Sequence, residues 1–222
     1  MGKHGRVLGI GPTDNTSDQR TPRQPLRLIP EVARSSFVPV VPARYVTNPH
    51  EWDMTRTAPD RPRADGVPIE VTGRVCTASG RPVPNALLEI WSANLYGRYR
   101  HIEDHSGLRL DENHLGMGRV LTDDEGRYRF WAISPGAYLA RPDIGRWRPK
   151  HIHMSISGGA SRMITQMYFP DEPNNASDPM AILMGDAFER NIGKPRDPGG
   201  TDVEEGYDFD IVIGGRNATF FE

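Results

Sequence analysis

From residue 67 onward the sequence breaks into short runs in which apolar and polar residues alternate, separated by clusters rich in glycine, proline and acidic residues. A period of two places successive side chains on opposite faces of a strand, so these runs predict strands with one buried face. VPIEVTGRVCTASGRPVPNALLEIW (67–91) holds two such runs around the turn sequence SGRP. RVLTDDEGRYRFWAI (119–133) repeats the design around DDEG, with Tyr128, Phe130 and Ala132 sharing one face. AYLARP, HIHMSIS, RMITQMYF and YDFDIVI add further strands. PMAILMGDAFERNI (179–192) is the one run that reads as helical, with Pro179 suited to its first turn. The expected fold is all-β: a β-sandwich core with long loops and a short helix near the C-terminus.

Before residue 67 the pattern weakens and the sequence becomes polar and proline-dotted. Residues 1–66 are therefore expected to form an extended N-terminal arm and linker packing on the core or on a partner, with 67–222 as the catalytic sandwich. RTAPDRPRADG (56–66) reads as a solvated linker, because acids and prolines interrupt its arginines.

Composition narrows the function. In 222 residues, 27 basic and 29 acidic side chains leave a formal net charge of -2, which offers no general attraction to nucleic acid or anionic membrane. Cys76 is the single cysteine, excluding an intrachain disulfide and any thiolate-rich metal site. MGKHGRVLGIGPTD lacks the apolar run of a secretory signal, and no segment has the length of a membrane span. A soluble, cytoplasmic protein is expected.

Chemistry concentrates around RWRPKHIHMSIS (146–157). His151 and His153 are two apart on a strand, so both imidazoles face one side and can share a metal ion. Two histidines alone also fit a half-buried pair on a sheet. Tyr99 in WSANLYGRYRH and Tyr138 in SPGAYLARP are candidate third and fourth donors; so are Glu103, Asp104, His105 and His114 in the loop between them. By residue type, imidazoles with carboxylates would suit non-haem Fe(II), Mn or Zn.

The runs VPNALLEIWSANLYGRYRH, RVLTDDEGRYRFWAISPGAYLARPDIGRWRPKHIHMSISG and MITQMYF together resemble the intradiol ring-cleavage dioxygenases, and within them the iron-bearing β subunits of the protocatechuate branch. The arm segment RTPRQPLRLIP (20–30) resembles the same branch. The resemblance implies one ferric iron per site, held by Tyr99, Tyr138, His151 and His153. Two phenolates are hard anionic donors that favour Fe(III), and two neutral imidazoles anchor it without excess charge. It further implies cleavage of a catechol by O2 to a cis,cis-muconate, both oxygen atoms entering the product and no external reductant being needed. Tyr138 would be the ligand that leaves when substrate chelates. Arg148 would stabilise negative charge developing on the substrate from a turn ahead of the histidine strand. Gln166 would line the pocket, and Trp91 would support the metal ligands. Trp131 and Trp147 read as core or pocket-wall aromatics.

The residues expected around the ring substituent depart from the branch pattern. Asp14 stands where a tyrosine is expected, Ala140 where a tryptophan is, and Met180 where a smaller branched residue is; Arg20 is retained. The expected substrate is a 4-substituted catechol such as protocatechuate, with hydroxyquinol, 4-sulfocatechol or a homologous acid as alternatives. The branch also implies an α-type partner chain, or else a homo-oligomer. A non-enzymatic binding module on the same sandwich is the competing reading from strand pattern alone.

Overall fold

The alternating runs do become strands, but the two turns that look like hairpins join different sheets. The computed structural model describes residues 50–158, 161–215 and 217–220. Its first strand, β1 (Pro68–Thr77), pairs antiparallel with β4 (Arg127–Ile133), and successive halves of β1 pair in parallel with β10 (Glu205–Asp208) and β11 (Ile211–Ile213). β9 (Lys194–Arg196) extends this five-stranded sheet beyond β10. The second sheet has the order β3-β2-β7-β8, from β3 (Met117–Leu121), β2 (Leu87–Trp91), β7 (His151–Gly158) and β8 (Ser161–Tyr168). SGRP and DDEG therefore carry the chain from one sheet to the other. A local turn sequence is the same for both outcomes, which is why the pattern alone did not distinguish them.

The buried faces meet in one core. Ile69, Val71, Val75, Tyr128, Phe130, Phe209 and Ile211 of the first sheet region pack with Leu88, Ile90, Ile152, Met154, Ile156 and Met167 of the second. Tyr128, Phe130 and Ala132 do share the buried face of β4. Across β7, Ile152 and Met154 point inward, so the alternate residues His151 and His153 lie on the outer face of the second sheet.

A two-stranded ribbon of β5 (Tyr138–Arg141) and β6 (Arg146–Arg148) lies outside both sheets. The predicted helix divides: α1 (Pro179–Met184) is α-helical, and Gly185–Asn191 tightens into 3-10 geometry. Gly185, with φ +53°, ends the α-helix.

The stretch assigned to a linker is more tightly placed than its composition suggests. Met54 is buried in the main core, and the backbone of Trp131 bonds on both sides to Trp52 and Met54. Most of 56–66 does face solvent, though Ala64 is buried. Asp14 and Arg20 lie outside the described residues. No helix among the described residues is long and apolar enough to cross a membrane.

Candidate metal centre

Strand register sets the floor of the site. Trp91 on β2, His153 on β7 and Gln166 on β8 are direct cross-strand neighbours, and His151 stands opposite Tyr168 in the next row. All five side chains consequently share the outer face. Trp91 stacks on the His153 ring with centroids 5.0 Å apart and planes within 2°. This contact holds the plane of the imidazole.

The two tyrosines arrive from loops that touch backbone to backbone. The loop after β2 is organised by Asn94, whose Oδ1 accepts from the Tyr96 and Arg98 N–H groups and whose Nδ2 donates to the Arg109 carbonyl. The Asn94 carbonyl also accepts from the N–H of Gly136, tying this loop to the one preceding Tyr138. Gly97 sits at the crossing with φ +79°, and a Cβ there would lie 2.7 Å from the Ala137 carbonyl oxygen and 2.8 Å from Tyr138 Cβ. Both its backbone conformation and the close approach require glycine. The Tyr99 and Tyr138 rings then meet edge to face at 5.5 Å.

Donor atoms converge. Nε2 of His151 is 3.1 Å from Nε2 of His153 and 3.3 Å from Oη of Tyr99, while the Tyr138 ring centroid is 5.8 Å from that of His151. Donors bound at about 2.0–2.2 Å to one ion stand roughly 3.0–3.4 Å apart, so these three atoms have the spacing of neighbouring metal ligands. The tautomer of His151 agrees. Its Nδ1 is 2.7 Å from the Pro149 carbonyl, which can only accept, so Nδ1 carries the proton and Nε2 presents its lone pair to the site. Burial, then the nearby Arg148 guanidinium, holds His153 down at about 3 and His151 well below the usual imidazole range. Both rings are neutral, the form that binds metal. A donor set of two neutral imidazoles and two phenols fits a ferric ion.

Of the open alternatives for a third ligand, Glu103, Asp104 and His105 line the same cavity as His153 without grouping with the histidines. Among the described residues no three His, Cys, Asp or Glu side chains group as a metal site. His105 and Glu103 are exposed and lie 3.9 Å from each other, and Asp104 accepts from the Tyr99 N–H. His114 is buried with Nε2 at the Ser92 carbonyl, away from the cavity lining.

Arg148 differs from its expected setting. It is not in a turn but ends β6, directly opposite Tyr138 across the ribbon. Its Nε donates to Asp178 at 2.8 Å, and Nη2 donates to Gln166 Oε1 at 2.6 Å and Tyr168 Oη at 2.9 Å. Although burial works against its charge, the surrounding Tyr168, Tyr138 and Asp178 keep it firmly protonated. Gln166 is buried and bonded into this cluster rather than facing solvent. Tyr168 and Asp178 were not singled out in the sequence, because a strand tyrosine and a pre-helix aspartate carry no local signal of a site.

A cavity of about 920 Å³ opens over the centre, lined by Trp91, Tyr99, Tyr138, Ala140, Leu115 and His153 among others. Ala140 is in its wall, whereas Met180 on the first turn of α1, Gln166 and Arg148 are not among the lining residues. Trp147 is 47% exposed and forms neither core nor pocket wall. Trp131 belongs to the other sheet, edge-on to Trp52 at 5.0 Å.

A dioxygenase family model matches residues 41–215. The chain belongs to the intradiol ring-cleavage dioxygenase family. It is an enzyme of that family, 42% identical over 219 residues to the protocatechuate 3,4-dioxygenase beta chain of Burkholderia cepacia, covering 96% of this chain and 92% of that one. It is also 33% identical over 158 residues to a catechol 1,2-dioxygenase of Candida albicans, covering 64% of this chain and 50% of that relative. Among solved structures, the catechol 1,2-dioxygenase of Pseudomonas arvilla C-1 superposes with a TM-score of 0.55 at 27% identity, over 76% of this chain and 59% of that one. The chain thus spans only about half to three-fifths of these two catechol-type relatives, but nearly all of the protocatechuate-type one.

Proposed function

We propose that this chain is the iron-bearing catalytic subunit of an intradiol dioxygenase that cleaves a 4-substituted, protocatechuate-like catechol with O2. The observation that carries the reading is that Tyr99 Oη and His153 Nε2 both lie within 3.3 Å of His151 Nε2, beside the Arg148 cluster and with an open cavity over Tyr99, Tyr138 and His153. Tyr99, Tyr138, His151 and His153 would hold one ferric ion. Bound there, iron would supply Lewis acidity and a template that makes the catechol ring reactive toward O2, with no external reductant.

The remaining roles belong to the protein. His151 and His153 contribute neutral donors, and the stacked Trp91 keeps His153 from turning. Tyr138 would be the ligand displaced as substrate enters, and its Oη would take up a catechol proton. Arg148 uses Nε and Nη2 to fix itself; among the described residues Nη1 makes no hydrogen bond and remains for negative charge developing on the substrate.

Near full-length similarity to a beta chain named for protocatechuate supports the acid-bearing substrate and an α-type partner chain. Ala140, in the cavity wall, leaves space for a substituent larger than a carboxylate. The arm carrying Asp14 and Arg20 would complete the pocket for that substituent. The test is kcat/KM for catechol, protocatechuate, a homologous acid, 4-sulfocatechol and hydroxyquinol, with and without any co-purifying chain. An anionic substrate should lead. A tenfold or greater preference for catechol or hydroxyquinol would overturn the substrate assignment while leaving ring cleavage intact.

A further inference from the structure

We propose that Asp178 is a positioning residue for Arg148: one buried carboxylate that both aims the guanidinium and starts α1, and whose charge is needed for the first task only. The inference rests on the proposed role of Arg148 in stabilising the substrate anion.

Asp178 has no exposed surface. Its Oδ2 accepts from Arg148 Nε at 2.8 Å, and Oδ1 accepts from the Met180 N–H at 2.8 Å, with longer contacts to Ala181 N, Arg148 Nη2 and Tyr168 Oη at 3.3–3.4 Å. The carboxylate thus joins an arginine from the β5–β6 ribbon to the start of the helix that begins at Pro179. Without it the buried Arg148 guanidinium would have no carboxylate partner among the described residues, an arrangement that favours swinging the arginine away toward water. Tyr168 and Gln166 fix the other edge of the guanidinium but are neutral. Capping makes no such demand, since asparagine caps helices about as well as aspartate. The two duties therefore separate in the isosteric variant.

Asp178→Asn, Arg148→Met and the double variant would each be compared with the parent protein for thermal unfolding, iron content and kcat per bound iron. In the parent background, Asp178→Asn should lower Tm by about 5 °C or more, because the buried guanidinium loses its counter-charge. In the Arg148→Met background the same change should raise Tm, because it neutralises a carboxylate that has lost its partner. Iron content should stay near the parent value while Asp178→Asn lowers kcat per iron by about tenfold or more, with KM changing less.

A purely capping role gives Asp178→Asn no effect on Tm or kcat in either background, and that result overturns the proposal. If Asp178→Asn alone does not fold, folding of the neutral double variant supports the charge pairing, and failure of both overturns it. Failure of the underlying reading looks different: Arg148→Met then turns over at the parent rate, while the sign reversal in Tm still reports on the pair.

Discussion

Two buried carboxylates, each paired with arginine, sit in different parts of this molecule, Glu70 on the first sheet and Asp178 at the start of α1, and they are built to different ends. On the first sheet Glu70 is closed on all sides. Its Oε1 accepts from Arg129 Nε and Trp131 Nε1, and its Oε2 accepts from Arg196 Nη2 and the Gly199 N–H. Burial tends to raise its carboxyl, but these donors, Arg196 foremost, bring it down to about 2. Beside the second sheet the carboxylate of Asp178 accepts at both oxygens, yet among the described residues Nη1 of Arg148, the strand neighbour of Tyr138, makes no hydrogen bond. A cluster that satisfies both oxygens of its buried carboxylate twice over stabilises β1 against β4, β9 and the loop after it. One that withholds a donor next to a converging set of ligands is equipped for chemistry.

The sharpest way to break this contrast is to cut each cluster in turn. Glu70→Gln should cost about 2–3 kcal/mol of stability, since Arg196 and the half-exposed Arg129 lose a buried counter-charge, with kcat per bound iron unchanged. Denaturant unfolding beside turnover measures both; a stability loss below about 1 kcal/mol, or a fall in kcat, removes the distinction. Arg148→Ala should do the reverse, lowering kcat about 10²–10³-fold, roughly 2.7–4 kcal/mol of barrier, with iron content near normal. Unchanged turnover on the preferred catechol would return Arg148 to a structural role.

Much of this contrast was not visible in the sequence. The paired histidines were, because a period of two fixes their shared face without any knowledge of partners. Trp91 and Gln166 were named only through the family resemblance, since adjacency across β2, β7 and β8 depends on strand pairing rather than on spacing. Arg148 was expected in a turn because a three-residue strand, β6, is too short to show alternation. Trp147, next to it, points outward by the same pleat, so its apolar character misled. Met180 falls outside the cavity lining, and Asp178 was overlooked because its importance comes from an arginine 30 positions away.

Gly97 offers a smaller perturbation that separates loop geometry from ligand chemistry. Gly97→Ala should cost about 2–3 kcal/mol from its left-handed backbone and the approach to Tyr138, and should reduce iron retained after purification. Full iron loading at parent stability would mean that the Tyr99 and Tyr138 loops do not depend on that crossing.

The acid limb of stability should show the least effect. Glu70 titrates at about 2 in the folded chain against an ordinary 4.5. Its depressed value means that its contribution is complete above about pH 4.5 and disappears as pH falls toward 2, a loss on the order of 2–3 kcal/mol. Acid titration of the parent and of Glu70→Gln should converge over that window; parallel curves would contradict the linkage.

The central claim is that Tyr99, Tyr138, His151 and His153 hold one ferric ion, and metal analysis with a visible spectrum of the purified protein tests it most directly. The parent should contain about one iron per chain and show the red-brown tyrosinate-to-iron charge-transfer band. His153→Ala should lose most of both, while Tyr138→Phe should retain more of the iron. Undiminished iron and colour after His153→Ala would contradict the account.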